Sequence, residues 1–325
     1  RLNNAGYPAP LQAWQPHLRH ITDAASARAD ERAAGLCNEM GGYLRMIGDY
    51  PGARLYCERA LTITEKVRGP EHPDTARSLN NLGYLLKVQS DLAGARSYYE
   101  QALAIWEKVL GPEHPDTATC LNNLGLLLQA QGDLTGARPY FERALAIQEK
   151  AIGPEHPDTA TSLNNLGLLL QAQGDLAGAR PYYERALAIW EKTLGPEHPD
   201  TARSLNNLGY LSQAQGDLAR ARPYFKRALT IYEKVLGPEH PDTATSLNNL
   251  GTLLQVQGNL AGARPYYERT LAITEKVLGA EHPHTARSLN ALGALLRAQG
   301  DLAGARSYYE RALAIREKVL GPEHP

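Results

Sequence analysis

The sequence predicts an all-α solenoid of antiparallel helix pairs, and three observations carry that prediction. The string Gly-(Pro/Ala)-Glu-His-Pro begins at Gly69, Gly111, Gly153, Gly195, Gly237, Gly279 and Gly321, a fixed 42-residue interval without insertion or deletion. A constant period of this length marks a stack of supersecondary units in which each unit leans on its neighbours. Between anchors, apolar residues follow the three-and-four spacing of a helix face in two successive stretches, and no strand pattern is present.

Composition narrows the class. A net charge of −1, from 34 basic and 35 acidic residues, gives no bulk attraction to nucleic acid or to a membrane. Three Cys in 325 residues make no disulfide framework and suit a reduced, cytoplasmic setting. No apolar run approaches the roughly 18–20 residues of a membrane span. The chain opens on Arg1 and closes on Gly321-Pro322-Glu323-His324-Pro325, a connector that elsewhere precedes another unit. The expectation is an excised fragment of a longer protein, truncated at its C-terminal connector.

Taken in order, residues 1–34 form an N-terminal segment. Residues 1–10 read as irregular, and about 11–29 as one capping helix with Trp14, Leu18, Ile21 and Ala25 in phase. Residues 35–325 hold seven hairpins, at about 35–68, 75–110, 117–152, 159–194, 201–236, 243–278 and 285–320. The first is degenerate: Cys37, Met40 and Gly41 stand where later units place Leu-x-x-Leu-Gly, and Ala53, Cys57 and Ala60 follow on the second helix.

The unit from Thr159 to Lys192 shows the design. Pro157 suits a first helical position and Asp158 the positive end of the helix dipole. Leu163, Leu166, Leu169 and Leu170 make one apolar face, Gly174 ends the helix, and Asp175 caps the next. Leu176, Ala179, Tyr183, Ala186, Leu187 and Trp190 form a second stripe, which runs to Leu194 before Gly195-Pro196 stops it. Small residues at Gly167, Ala179 and Ala186 mark the closest helix approach. Pro139, Pro181, Pro223 and Pro265 fall six residues after the capping position, which predicts a mild kink or a first turn that starts late.

Leu163-x-x-Leu166-Gly167-x-x-Leu170, followed by Ala179, Tyr183 and Ala186, resembles the tetratricopeptide repeat signature at the right offsets. Leu replaces its Trp, Glu191 replaces its terminal Pro, and the second helix continues past that point. The string LGPEHPDTATSLNNLG and the longer period resemble the kinesin light chain subtype, over about residues 35–320. This resemblance implies a right-handed superhelical solenoid whose first helices line a concave groove, and a protein or peptide partner. The subtype is used by bacteria in many multidomain proteins. The stretch Trp14–Ala25 also resembles the junction between ATPase and repeats in NB-ARC-type regulatory ATPases, which implies a sensor role with the ATPase upstream.

No site for chemistry emerges. G-x4-G-K-[ST], G-x-G-x-x-G after a strand and G-x-S-x-G are all absent, so no enzymatic activity and no cofactor are expected. The recurring Glu-His-Pro-Asp offers one His per connector. Packed helices lie about 8–10 Å apart, whereas zinc donors each lie about 2 Å from the ion, so the histidines read as connector residues and no metal is expected. Cys37 and Cys57 read as small core fillers.

The informative pattern is Asn80-Asn81, Asn122-Asn123, Asn164-Asn165, Asn206-Asn207 and Asn248-Asn249, then Asn290 beside Ala291. Asn is a poor mid-helix residue. Two readings stand: one Asn of each pair bonds to the neighbouring hairpin, or the pairs form an amide ladder that holds an extended peptide. Arg77, Arg203, Arg287, Lys87, Arg297, Tyr84 and Tyr210 lie near that ladder, while first helices from the second unit onward carry no acid after their opening Asp. Acids collect on second helices, at Glu100, Glu142, Glu184, Glu268 and Glu310. Units also vary at Trp106, Gln148, Trp190, Tyr232, Thr274 and Arg316, which reads as variation facing a ligand. The expected function is a scaffold for an acidic and apolar peptide segment. A purely architectural reading is head-to-tail self-association through uncapped ends, with Leu302, Tyr309 and Leu313 exposed.

Overall fold

The computed structural model describes residues 14–26, 28–46 and 49–320, and among these it contains fifteen helices and no strand. The chain divides into two compact units between Asp175 and Leu176. The first holds α1 (Gln15–Ser26), then the hairpins α2–α3 (Glu31–Met46, Tyr50–Arg68), α4–α5 (Pro73–Val88, Leu92–Val109) and α6–α7 (Pro115–Ala130, Leu134–Ala151), and finally α8 (Pro157–Ala172). The second begins with α9 (Leu176–Thr193). It continues with α10–α11 (Pro199–Ala214, Leu218–Val235), α12–α13 (Pro241–Val256, Leu260–Val277) and α14–α15 (Pro283–Ala298, Leu302–Leu320). Within each unit every helix packs on the next in the chain. First helices also touch across hairpins, α2 with α4, α4 with α6, α6 with α8 and α10 with α12, whereas second helices do not approach one another as closely.

Within each unit a bare backbone patch closes the hairpins. Gly83, Gly125, Gly209, Gly251 and Gly293 lie beneath the rings of Tyr99, Phe141, Phe225, Tyr267 and Tyr309, and a Cβ added at these glycines would lie 2.6–3.0 Å from the nearest ring atom. In the degenerate hairpin Gly41 meets Cys57 Sγ at 2.6 Å in the same sense. Most of these rings are fully buried, beside Ala95, Ala137, Ala221 and Ala263 on the same helices. Burial pushes the Cys57 thiol up to about 11, so it is a core filler and no nucleophile.

The connectors are hydrogen-bonded caps. Gly69, Gly111, Gly153, Gly195, Gly237 and Gly279 take φ between +93° and +101°, a conformation that only Gly adopts without strain. A buried Thr six residues later (Thr75, Thr117, Thr159, Thr201, Thr243, Thr285) donates its hydroxyl to each glycine carbonyl at 2.8–3.0 Å. The histidine is the N-cap of the following helix. Its Nδ1 accepts the backbone N–H two residues on, at 3.1–3.2 Å, in His72, His114, His156, His198, His240 and His282. Proline then takes the first helical position, where no N–H is needed. Inside the hairpins Asp91, Asp133, Asp217, Asn259 and Asp301 cap the second helices at 2.8–2.9 Å.

Two expectations are corrected. The second helices that contain Pro139, Pro223 and Pro265 begin directly after their caps and continue through the proline, so no late start occurs. The carbonyls freed by Pro139, Pro181, Pro223 and Pro265 belong to Thr135, Ala177, Ala219 and Ala261, all exposed residues of the first turn, so freeing these carbonyls buries no unpaired group. The capping helix runs from Gln15 to Ser26; Leu11 and its neighbours lie outside the described residues. Its inward face is Thr22 and Ala25 with Leu18 partly buried, whereas Trp14 and Ile21 are 61% and 55% exposed. Polar contacts set that rotation: Arg19 pairs with Asp49, while Asp23 accepts from Tyr56 Oη at 2.9 Å and from Arg59 at 2.6 Å. In α15, Leu302 and Leu313 are exposed and Tyr309 is half-buried over Gly293.

Gly209→Ala improves intrinsic helix propensity, yet it places a methyl 2.6 Å from Phe225. The expected result is a net loss of about 1–3 kcal/mol in denaturant unfolding, because overpacking outweighs propensity. A second expectation concerns pH. Burial holds His240 and His282 below the usual imidazole value of 6.5, which favours the neutral ring that caps the helix. Their contribution is complete above that value and is lost as pH falls through the lowered folded value. His282→Asn keeps a cap that does not titrate. Its melting temperature relative to wild type should therefore rise between pH 7.5 and pH 5; a constant difference would contradict the capping role.

Candidate functional site

The Asn pairs divide into two geometries. The first Asn of a pair lies in the seam between hairpins, with Asn80, Asn122 and Asn206 buried there; Asn164 is buried as well. The seam Asn amide works in both directions. Asn122 Nδ2 donates to Ser162 at 2.5 Å and Asn206 Nδ2 to Ser246 at 2.9 Å, each serine lying forty residues on in the next first helix. Its Oδ1 accepts from the second Asn of the next hairpin, as in Asn123 to Asn80 at 2.9 Å, Asn165 to Asn122 at 3.5 Å and Asn249 to Asn206 at 3.4 Å. Asn38 plays the same part in the degenerate hairpin, donating to Ser78 at 3.2 Å and accepting from Asn81 at 3.1 Å. Sequence reasoning missed Asn38, although its position, one period before Asn80, is the signal that could have found it. Asn81, Asn123, Asn207, Asn248 and Asn290 are partly exposed, while Asn165 and Asn249 are buried.

The varying second-helix position is also internal, which corrects its reading as a ligand-facing set. Trp106, Gln148, Trp190, Tyr232 and Thr274 are each no more than 5% exposed. They stand fourteen residues before the seam serine or cysteine: Gln148 accepts from Ser162, and Thr274 donates to Ser288 at 3.3 Å. Cys120 takes the seam serine's place beside Trp106. Arg316, in the last hairpin, is exposed.

What remains open on the first helices is a stripe four and three residues apart. In α4 it carries Arg77, Asn81 and Tyr84; in α6, Thr119, Asn123 and Leu126; in α10, Arg203, Asn207 and Tyr210. These side chains share one face because their spacing is that of a helix face. Tyr84 lies between Arg45, 4.4 Å from the ring centroid, and Lys87, at 5.1 Å. Burial, then the Arg45 charge, pulls the Lys87 ammonium below its usual value. Arg45, Arg77, Asn38, Asn81 and Tyr84 line a cavity of ≈ 330 Å³ in the first unit. In the second unit Tyr210, Asn248, Asn249 and Arg287 line another of ≈ 260 Å³. Arg297, exposed in the last turn of α14, lines neither. Two of the arginines are tethered on their own helices, Arg77 to Asp74 at 3.1 Å and Arg203 to Asp200 at 3.0 Å. Arg203 also sits 5.1 Å from the Trp190 ring.

The acidic side chains lie elsewhere and are paired. Glu100, Glu142, Glu268 and Glu310 bind the arginine four residues before them at 2.7–2.8 Å. Connector acids Glu71, Glu113, Glu197, Glu239 and Glu281 take the lysine that ends the following second helix at 2.5–2.6 Å. Such exposed pairs contribute little stability each. Their effect is on charge layout, since they keep carboxylates off the open stripe. Among the described residues no three His, Cys, Asp or Glu side chains gather closely enough to hold a metal ion, and no helix is long and apolar enough to cross a membrane.

A tetratricopeptide repeat family model matches residues 31–91, 81–150, 121–187, 158–234, 206–255 and 247–318. Among solved structures the chain is similar to a putative kinesin light chain of Podosopora anserina with nearly identical TPR-like repeats. Identity is 31%, over 63% of this chain and 97% of that one, with a TM-score of 0.54. It also shares its fold with BtubC (BKLC) of P. vanneervenii, at 24% identity over 73% of this chain and 93% of that one, TM-score 0.58. A third likeness, again of fold alone, is to the Rap conjugation gene regulator of the plasmid pLS20, solved in complex with the Phr* peptide. Identity there is 18%, over 89% of this chain and 76% of that one, with a TM-score of 0.67. No curated protein matches the chain.

The seam geometry makes Asn206 a stability residue. Asn206→Ala strands Ser246 and the Asn249 amide in a buried site, so unfolding free energy should fall by about 1–3 kcal/mol, measured by chemical denaturation. A change within ±0.5 kcal/mol, the range of ordinary surface substitutions, would show that the seam bonds carry no weight.

Proposed function

We propose a function from one premise: this chain belongs to the tetratricopeptide repeat family, of the kinesin light chain-like type. It is a protein-interaction scaffold. In the finer reading, it holds an extended partner segment along the open stripe of its first helices and performs no chemistry of its own. One observation carries this. The stripe presents guanidinium groups, amides and tyrosine rings, whereas the acids of the second helices and connectors are engaged by lysine and arginine on another face.

That arrangement selects a ligand by charge and shape. Carboxylates on a partner find Arg77 and Arg203, whose guanidinium forks keep donors beyond their contacts to Asp74 and Asp200. Apolar side chains find Tyr84, Leu126 and Tyr210, whose rings and methyls are partly exposed. The likeness to a structure solved with a bound peptide supports the class of partner, through fold alone. Groove residues from the Asn pairs enter this reading through their partly exposed members, Asn81, Asn123 and Asn207; Asn81 and Asn123 each give one amide N–H to the seam and keep their carbonyl oxygens toward the open side.

Titration with a fluorescent decapeptide of alternating Glu and Leu tests the proposal against its Lys and Leu counterpart. The acidic peptide should bind, and the double variant Arg77→Gln/Tyr84→Ala, both on α4, should weaken it at least about tenfold, or roughly 1.4 kcal/mol. Equal affinity for both peptides, or an unaffected double variant, would reject it.

A further inference from the structure

Near-identical repeats make every departure from the pattern visible, and three departures fall at one seam, between α12–α13 and α14–α15. Ala291 stands where the preceding units place Asn81, Asn123, Asn165, Asn207 and Asn249. Thr274 stands where Trp106, Trp190 and Tyr232 fill the interior. His284 replaces the aspartate that opens the other first helices, at Asp74, Asp116, Asp158, Asp200 and Asp242.

Each change removes something from the same place. The loss of side-chain volume at Thr274 and Ala291 accompanies a cavity of ≈ 260 Å³, bordered by Tyr210, Asn248, Thr252, Thr274, His284 and Arg287. No aspartate or glutamate lines it. With Ala291 opposite, the Asn248 side-chain amide has no hydrogen-bond partner among the described residues, whereas Asn206 in the previous seam binds both Ser246 and Asn249. With His284 in place of an acid, Arg287 also loses the partner that holds Arg77 and Arg203. Burial, reinforced by the adjacent His282 imidazole and the Arg287 guanidinium, keeps the His284 ring below its usual value. The result is a pocket with an uncompensated guanidinium, an unused amide and several hydroxyls.

We infer that this cavity is a carboxylate pocket that takes the side chain of one acidic residue from the bound partner segment. The inference rests on the scaffold reading above and names an anchor point within it. A guanidinium presents a planar fork that a carboxylate fills with two parallel hydrogen bonds. The Asn248 amide supplies a further donor, while the Tyr210 and Thr252 hydroxyls, which donate to Asn249 Oδ1 and to the Asn248 carbonyl, border the same space. A lysine side chain would meet the Arg287 guanidinium as a like charge. An apolar one would leave Asn248 and Arg287 desolvated and unpaired, which is costly.

Chemical-shift titration of the full chain with the blocked tripeptide Ac-Gly-Glu-Gly-amide tests this, read at the Ala291 amide and the His284 ring. Shifts should saturate, with affinity at least about tenfold above that of Ac-Gly-Gln-Gly-amide. Arg287→Gln should abolish the difference. Ala291→Asn should also abolish it, by filling the cavity with a side chain whose amide donates to Asn248 Oδ1 as Asn249 donates to Asn206, and should raise the melting temperature. Arg306→Gln, which removes a distant exposed cation, should leave it intact. Equal affinity for the glutamine peptide, an unaltered Arg287→Gln titration, or equal saturation by sodium acetate would overturn the assignment. The tripeptide is too short to span the stripe, so a negative result here and a negative result with the decapeptide are separately readable.

Discussion

Within each unit a hairpin closes because its first helix offers bare backbone at one point. Gly83, Gly125, Gly209, Gly251 and Gly293 let an aromatic ring from the second helix rest where any side chain would collide. That contact fixes how near the two helices lie, and the rest inherits its geometry from it. The Gly-Pro-Glu-His-Pro connectors span from one hairpin so fixed to the next, and their Thr-to-Gly bonds leave them no slack. The seam amides reach one another only because the first helices stand at this spacing. A larger residue at the glycine would displace the ring, and with it the buried alanines that face the neighbouring hairpin.

Three kinds of polar group then divide the molecule among them. Buried amides and hydroxyls join hairpin to hairpin, and every satisfied bond there also fixes register, because a shifted helix would bury an unpaired group. Exposed lysine, arginine and glutamate side chains lace the second helices and connectors, adding little energy but gathering the negative charge. The open stripe of the first helices retains arginine, amide and tyrosine. Recognition therefore depends on a charge separation that the structural pairs create, even though none of those pairs touches a ligand.

Helix faces, hairpin boundaries and turns were legible in the amino-acid order. Apolar spacing, positive-φ glycines and Asp caps are local signals, written within a few residues of where they act. The relation between hairpins was less legible. Asn122 and Asn123 look alike in a helical pattern, yet one is enclosed by Ser162 and Asn165 while the other is partly exposed. A polar residue facing water and one facing another amide leave the same trace in one sequence. The variable position at Trp106, Gln148 and Tyr232 misled for a related reason: variation there reflects alternative fillings of an interior gap, as the Gln148–Ser162 bond shows. The capping histidine was hidden by convention, since imidazole is an uncommon N-cap and the adjacent Asp is a familiar helix-start residue. Helix α1 was misrotated because Asp23 and Arg19 anchor it through partners more than twenty residues away.

The seam bonds run in one sense along the chain, from the first Asn of one unit to the serine and second Asn of its successor. Each internal unit thus carries both halves of the same joint. Recombination that deletes or copies a complete 42-residue block in frame would reunite matching halves, so copy number can drift and change the reach of the array without inventing a new interface. A block one residue too long or too short would part the amides of its own joint from their acceptors. That contrast makes whole-block duplication the path of least resistance for lengthening such a gene.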